Sequence, residues 1–375
     1  MIINNIAFFF LIGYGIVFSY IREYGAIPLI VVFVFSLSSF LINSLNAYSF
    51  YFLKKYLNFL IFSSIILLFS IFDLMPSSWP KEFNLIMALR QYFFIFSLPF
   101  FIFVAYKFLK EYYFFISKYS LFLLGSYFFV YLIINQNVDK LILSPFVNYS
   151  QIFLILFFIN FEKINNQFLK YLILILISLL ILFKDISLQF IIFFIGVILI
   201  AISFNKFTIH KLIVLIFTIV PLLATFIINN SIISLDSNSM VRLVMWADAT
   251  RSLIDTFGLG VGFGTEWIKN DFYIIKSNWA LFDDTNINNK FNITTHNTFS
   301  DLYFRVGLIG LLLFVKSIFS FLNERIIIKS KLISYLFLSI LVSLSTNPGF
   351  FSVNYLIGLS ITYGFLLFIR ERDFR

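Results

Sequence analysis

Long apolar runs, repeated from one end of the chain to the other, constrain this sequence more than any other feature. Hydrocarbon about 30 Å thick requires roughly 20 apolar residues for a helix to cross it. Only 12% of the 375 residues are charged, whereas soluble domains contain about 25%. Twelve apolar runs are centred near residues 6–21, 26–42, 57–72, 89–106, 119–134, 149–161, 168–183, 187–204, 211–228, 298–318, 331–346 and 351–369. We therefore expect an all-α integral membrane protein with about twelve transmembrane helices.

One long polar interval interrupts this series between the ninth and the tenth run. It divides the chain into a membrane domain of about nine helices over residues 1–228, a large loop over 229–297, and a membrane domain of about three helices with a tail over 298–375. The loop is rich in Asn and Asp at both ends, with an amphipathic stretch between, so we expect it to be partly helical. The first segment, residues 1–20, lacks a basic start and a cleavage site and is expected to remain as a first span.

The net charge of +9 has a topological explanation. Lys and Arg occur singly or in pairs between apolar runs rather than on one basic face, so nucleic acid is not an expected partner. With the N-terminus inside, the short inner loops and the C-terminal tail carry about fifteen cations. The short outer loops and an adjoining helix start carry about five, namely Arg22, Lys81, Arg90, Lys140 and Lys184. Since Lys and Arg in short loops stay cytoplasmic, both termini are predicted to be cytoplasmic and the large loop external.

The chain contains no cysteine and two histidines. Disulfides, thiol catalysis and thiolate metal sites are thereby excluded. His210 lies with Lys206 and Lys211 in a predicted cytoplasmic loop, which leaves His296 as the external histidine. A zinc site is therefore not expected.

The loop segment Met240–Phe257 is predicted to form a helix that carries two arginines. Arg251 has Asp248 and Asp255 at helical spacing, whereas Arg242 has no carboxylate three or four residues away. Nine residues separate the arginines, which places them on opposite faces of a straight helix at 100° per residue. Arg242 is thus the better candidate for holding an external anion; the alternative is a guanidinium that reaches lipid phosphate.

Trp246 lies one turn from Arg242 on the same face of this predicted helix. An indole face suits a sugar ring, and the alternative is an interfacial aromatic belt. The segment Gly258–Gly264 then has glycine at every second position. This is not the G-x-G-x-x-G spacing of a dinucleotide site. Alternating glycines allow backbone to approach a ligand or a neighbouring helix closely, and a flexible re-entrant turn is the alternative.

The end of the loop carries the remaining candidates. Asn297 is a natural N-cap for a helix that runs through Asp301, Arg305, Gly307 and Gly310. The positive end of that helix disfavours imidazolium, so His296 would be neutral and able to accept a proton, unless it only caps the helix or forms a hydrogen bond. Arg305 follows Asp301 by one turn, and an ion pair is the structural alternative there. Lys184 interrupts the apolar stretch between spans seven and eight, as part of a turn or of an anion site.

These features together resemble the O-antigen polymerase and O-antigen ligase superfamily. The resemblance rests on the late external loop and on two motifs. Arg242 and Trp246 run into Phe257–Gly262 at the start of the loop, and His296-Asn297 precedes Val306–Leu311 at its end. Two positions depart from the family pattern. Lys184 begins a Lys-Asp-Ile-Ser segment where a Ser-Arg pair is usual, and Arg305 stands where a Glu is usual.

The resemblance implies a metal-independent glycosyltransferase of the bacterial inner membrane, without a cofactor, whose donor is a sugar chain on undecaprenyl pyrophosphate. Positive charge from Arg242 and Arg305, with Lys184 or Arg251, would stabilise the pyrophosphate leaving group, and His296 would take the proton of the acceptor hydroxyl. Trp246 and Asn297 are the candidate sugar contacts. Implied partners are membrane lipid and a chain-length regulator protein.

Three functions are compatible with this reading. The first, which we favour, is a polymerase that joins lipid-linked repeat units at the outer face of the membrane. The second is a ligase that transfers finished glycan to lipid A core or to protein. The third, from a different class, is a flippase, although transporters usually carry ionisable residues at mid-membrane depth and often an internal repeat.

Overall fold

The fold was obtained as a computed structural model. It describes residues 2–18, 27–43, 47–76, 81–135, 151–182, 188–202, 206–224, 226, 237–268, 291–292, 297–321, 331–346 and 353–374. Within these ranges the chain is predominantly helical, with a small three-stranded sheet.

Thirteen helices and three strands are present in this described part of the chain. They are α1 (Ile2–Phe18), α2 (Ile27–Asn43), α3 (Ala47–Ile71), β1 (Lys81–Phe83), α4 (Leu85–Lys118), α5 (Ser120–Asn135), α6 (Gln151–Lys163), α7 (Gln167–Leu182), α8 (Leu188–Ala201), α9 (Lys206–Leu222), α10 (Ser237–Asp255), β2 (Thr265–Ile268), β3 (Phe291–Asn292), α11 (Thr298–Phe321), α12 (Lys331–Thr346) and α13 (Val353–Phe374).

Each of the twelve apolar runs overlaps one of these helices within the described residues, and the helix predicted in the large loop overlaps α10. By length and composition, three of them suffice to cross a membrane, over Leu53–Ile71, Leu85–Lys118 and Thr298–Ile318. Five shorter apolar helical segments accompany them in the described ranges. The apolar helices indicate a membrane-embedded protein, and the number of twelve spans stays a prediction.

Helix α4 is the longest of these helices, and it packs most extensively against α13. Gly364 allows this contact, because a Cβ there would lie 2.7 Å from the backbone nitrogen of Tyr106 and 2.9 Å from the carbonyl oxygen of Ile102.

Pro99 lies inside α4 and has no N–H to donate to the carbonyl of Ile95. The hydroxyl of Tyr56, from α3, donates to that carbonyl at 3.2 Å. A side chain thus replaces the missing helical hydrogen bond in apolar surroundings.

The first turns of α1 and the last turn of α13 both contact the C-terminal third of α4. The side-chain nitrogen of Asn5 donates to the Tyr112 hydroxyl at 2.7 Å. Lys110 forms an ion pair with buried Glu371 at 2.9 Å, and Tyr106 donates to the same carboxylate. The start of α1 and the end of α13 therefore lie at the C-terminal end of α4. The N-terminal end of α4 follows strand β1 of the sheet.

The antiparallel sheet, in the order β1-β2-β3, is absent from the sequence prediction. Its register places Lys81 opposite Trp267, Glu82 opposite Glu266 and Phe83 opposite Thr265, and Trp267 opposite Asn292. Strand β1 belongs to the connection between α3 and α4, whereas β2 and β3 belong to the large loop. Both flanks of residues 269–290 consequently belong to one sheet with β1, which directly precedes α4.

Candidate functional site

The segment Gly258–Gly264, here called the glycine strap, links α10 to β2. Its four glycines all have positive φ, at 80°, 80°, 88° and 70° in chain order. The residues between them have side chains and are not among the positive-φ residues. Positive and negative φ therefore alternate along the strap, and glycine tolerates the positive values without a steric penalty. This alternation explains the spacing seen in the sequence.

Every backbone N–H from Gly258 to Gly264 donates a hydrogen bond. The acceptors, in chain order, are Leu253 O, Thr256 O, Thr256 Oγ1, Phe304 O, Arg305 O, Ser70 Oγ and Gln91 Oε1. Buried backbone donors without partners are costly, and more so where water is absent. The strap is therefore a hydrogen-bonded element, buried from Gly260 to Gly264, and not a flexible re-entrant turn.

The strap lies in a break of α11. The sequence predicts a continuous helix through Gly307, but Gly307 has φ 71° and ψ −176°, which are not helical angles. The N–H groups of Val261 and Gly262 donate to the carbonyls of Phe304 and Arg305 at 2.8 and 3.0 Å, and Leu308 N–H donates to Gly258 O at 3.0 Å. The strap thus supplies hydrogen bonds where the break interrupts the helical pattern, which is why the break is tolerated.

Arg305 precedes this break and is buried, with 1% of its surface exposed. Its guanidinium donates to the carbonyl oxygens of Gly262, at 3.4 Å, and Thr265. It also lies 4.9 Å from the centre of the Phe304 ring. The structure therefore places this predicted pyrophosphate ligand inside the protein, on the backbone of the strap. Asp301, one turn earlier, is buried as well.

Helix α10 carries Arg242, Trp246 and Arg251, all half-buried. It is continuous over Ser237–Asp255, so the two arginines lie on opposite faces as predicted. Trp246 packs against a small cluster of Ala224, Leu243 and Ala247. The Trp246 indole thus contacts apolar side chains of α10 and Ala224, and lies one turn from Arg242.

Two contacts set the direction of α10 relative to α11. Thr250 Oγ1 and the Tyr303 hydroxyl are 3.1 Å apart, and further along both helices Gly258 O accepts from Leu308. The helices therefore run the same way, with their N-terminal ends on the same side. At 1.5 Å per residue, Arg242 lies about 12 Å before Thr250 and Asn297 about 9 Å before Tyr303. Arg242 and Asn297 are thus at the same end of this helix pair.

Asn297 is the N-cap of α11, as predicted. Its Oδ1 accepts from the backbone N–H groups of Phe299, at 2.9 Å, and Ser300, at 3.3 Å. Asn297 is fully buried, which makes capping its observed role. The catalytic candidate His296 and the anion candidate Lys184 lie outside the described residues, so their roles stay predictions.

Three side chains that sequence reasoning missed contact the strap: Ser70, Gln91 and Thr256. Gln91 gave a usable signal, since a glutamine within the apolar run 89–106 has to find a polar partner. Ser70 gave none, because its hydroxyl also bonds to the Ile66 carbonyl of its own helix, as serines in apolar helices commonly do. Over the described ranges, no three His, Asp or Glu side chains are grouped so as to hold a metal ion.

No model of a known protein family, no curated protein and no solved structure matches this chain. The functional assignment therefore depends on the residues themselves: the arginine and tryptophan of α10, the strap, and the capped start of α11.

Proposed function

We propose that this protein is a polysaccharide polymerase that joins undecaprenyl-pyrophosphate-linked repeat units at the outer face of the membrane. One observation carries the proposal. Helices α10 and α11 run parallel. Arg242 of α10 and Asn297, the residue after His296, therefore lie at the same end of this helix pair.

The two ends of α4 support the orientation. Gln91, near its start, contacts the strap, and Lys110, near its end, pairs with Glu371 of the last helix. These residues are 19 apart in the sequence, or about 28 Å along a helix, which is close to the thickness of bilayer hydrocarbon. The strap and the lysine-rich end would then be at opposite membrane surfaces. Because lysines stay cytoplasmic, the strap and the loop would be external.

The reaction is a single displacement at the anomeric carbon of the donor. The acceptor hydroxyl oxygen forms the new glycosidic bond, its proton passes to His296, and the bond from the anomeric carbon to the pyrophosphate oxygen breaks. A lipid pyrophosphate requires positive charge on departure rather than a proton. Arg242 is our choice for that charge, with Lys184 or Arg251 beside it. We assign buried Arg305 to the strap, which changes its role from the sequence prediction.

The test uses the purified protein in lipid vesicles with lipid-linked repeat units and no ion gradient. We expect the wild-type protein to produce a ladder of lengthened glycans on the carrier lipid. We expect the variants His296→Ala and Arg242→Gln to produce no such ladder. Arg90→Gln is the matched control: Arg90 is exposed near the strap end of α4 and should keep full activity. A normal ladder from His296→Ala would remove His296 from the mechanism.

The same assay separates the alternatives. A ligase would leave unit length unchanged and move preformed chains onto an added lipid A core or protein acceptor. A flippase would move lipid-linked units across the vesicle membrane without forming a bond. Either result, without lengthened chains, would overturn the polymerase proposal.

A further inference from the structure

Three polar side chains from three different helices converge on four consecutive residues, Gly262–Thr265. Ser70 of α3 accepts from Phe263 N–H at 2.8 Å, and Gln91 of α4 accepts from Gly264 N–H at 2.9 Å. Arg305 of α11 donates to the carbonyl oxygens of Gly262 and Thr265. These three side chains are called the strap clamp below.

Two of the strap clamp residues are large polar side chains buried within apolar helices. Gln91 is 2% exposed and Arg305 is 1% exposed, and buried polar side chains cost free energy unless they are fully hydrogen-bonded. Gln91 is not fully bonded, since its Nε2 atom has no hydrogen-bond partner among the described residues. A side chain selected for packing alone would be apolar here, so Gln91 is better explained by the backbone it holds.

The strap clamp acts where the chain leaves the helical core. Thr265, whose carbonyl accepts from Arg305, is the first residue of β2. Strand β2 pairs with β1 on one side and with β3 on the other. Strand β3 ends at Asn292, five residues before the helix cap Asn297. The direction of β2 therefore sets where both flanks of the large loop lie relative to α11.

We propose that Ser70, Gln91 and Arg305 are positioning residues. They hold the strap and β2 so that Arg242 and the described flanks of the large loop keep a fixed position relative to Asn297, the capped start of α11. This inference rests on the proposed function for its consequence in catalysis. If the clamp is loosened, the helices still pack and bind the lipid-linked donor, but the acceptor proton and the leaving group are no longer aligned. Misplacement by about 1 Å is enough to cost up to about a hundredfold in rate.

The position of β2 can be measured without activity, because the chain has no cysteine of its own. The double variant Glu82→Cys/Glu266→Cys places thiols at directly opposite positions of β1 and β2. Opposed residues in antiparallel strands have Cα atoms about 4.5–5.5 Å apart, within the range of a disulfide. The rate of disulfide formation then reports whether β2 keeps its place.

The clamp variants are Gln91→Met, which keeps the side-chain length without the acceptor, and Ser70→Ala. Ser36→Ala is the matched control for Ser70, since both hydroxyls are buried and donate to the carbonyl four residues earlier at 2.7 Å. Ser97→Ala is the control on α4, where its hydroxyl bonds to Phe94 O. Neither control residue contacts the strap in the described structure.

The expected result is slower disulfide formation in Gln91→Met and Ser70→Ala, with kcat for chain extension lowered about ten- to a hundredfold and KM for the lipid-linked donor unchanged. Gln91→Glu keeps an acceptor oxygen and should restore part of both signals. Disulfide rates equal to those of the controls, or a raised KM with unchanged kcat, would overturn the inference. If Gln91→Met fails to fold, the milder Ser70→Ala decides. If the wild-type protein extends no glycan, the proposed function is overturned. If the clamp variants of that protein still form the disulfide more slowly than the controls, the structural role of the strap clamp is supported.

Discussion

Gly260 and Gly307 lie with their backbones in direct contact. A Cβ added to Gly260 would lie 2.7 Å from Gly307 N and 2.8 Å from Phe304 O, and one added to Gly307 would lie 2.3 Å from Gly258 O. Real side chains do not reach such distances from backbone atoms. The strap and the break in α11 are therefore two halves of one structural element, and each requires glycine in the other.

Gly260→Ala is expected to destabilise the protein. The new methyl group meets three backbone atoms of α11, and φ at this position is positive. The left-handed region costs a residue with a Cβ about 1–2 kcal/mol, and overpacking adds about 1–3 kcal/mol. The free energy of unfolding in detergent, followed by helical circular dichroism, should fall by about 2–5 kcal/mol.

Gly125→Ala on α5 is the control for that measurement. A Cβ at Gly125 meets nothing within 4 Å, and alanine forms helix more readily than glycine by about 1 kcal/mol. This variant should be as stable as the wild type or more so. Equal losses at the two positions would contradict the close contact between strap and helix.

Phe257→Gly is expected to stabilise the protein. Helix α10 ends in a Schellman motif, in which Gly258 N–H bonds to Leu253 O and Phe257 N–H bonds to Ile254 O. Phe257 occupies the left-handed position of this motif at φ 52°, where glycine is favoured, and its side chain is 92% exposed. Removing the strain should raise the free energy of unfolding by about 1 kcal/mol. A loss of stability in the same detergent assay would show that the Phe257 ring makes a stabilising contact.

The Tyr56 hydroxyl and Pro99 are expected to be energetically coupled. Tyr56→Phe leaves the Ile95 carbonyl without its donor, which should cost about 1–3 kcal/mol. Pro99→Ala supplies a backbone N–H four residues after Ile95, so Tyr56→Phe should cost little in that background. Unfolding measurements on the two single variants and the double variant give the coupling. Additive effects would mean that Tyr56 does not serve the proline site.

The sequence predicts those parts of the fold that depend on local pattern. Apolar runs locate the helices, and the spacing of Arg242, Trp246 and Arg251 correctly describes the faces of α10. Asn297 is recognisable as a helix cap because capping needs only the residue and the helix that follows it.

The break at Gly307 could not be predicted in the same way. Gly310, three residues later, remains helical although its local sequence is similar, with large apolar neighbours on both sides. The two glycines differ in what they contact: the strap lies on Gly307, whereas Gly310 lies against Val306 and Phe62 side chains. Likewise, β1 and β3 contain three and two residues, and such short strands form only because β2 is held between them.

The measurement that tests the central claim most directly uses Arg242→Cys/His296→Cys in this cysteine-free chain, embedded in intact membranes. We predict that a short, membrane-impermeant reagent with two thiol-reactive groups, added from outside, links the two positions, since both should face one pocket at the outer surface. Protection of that link by lipid-linked repeat units would place the donor in the pocket. Linking only after the membrane is permeabilised, or no linking while each single cysteine reacts, would contradict the glycosyl-transfer account.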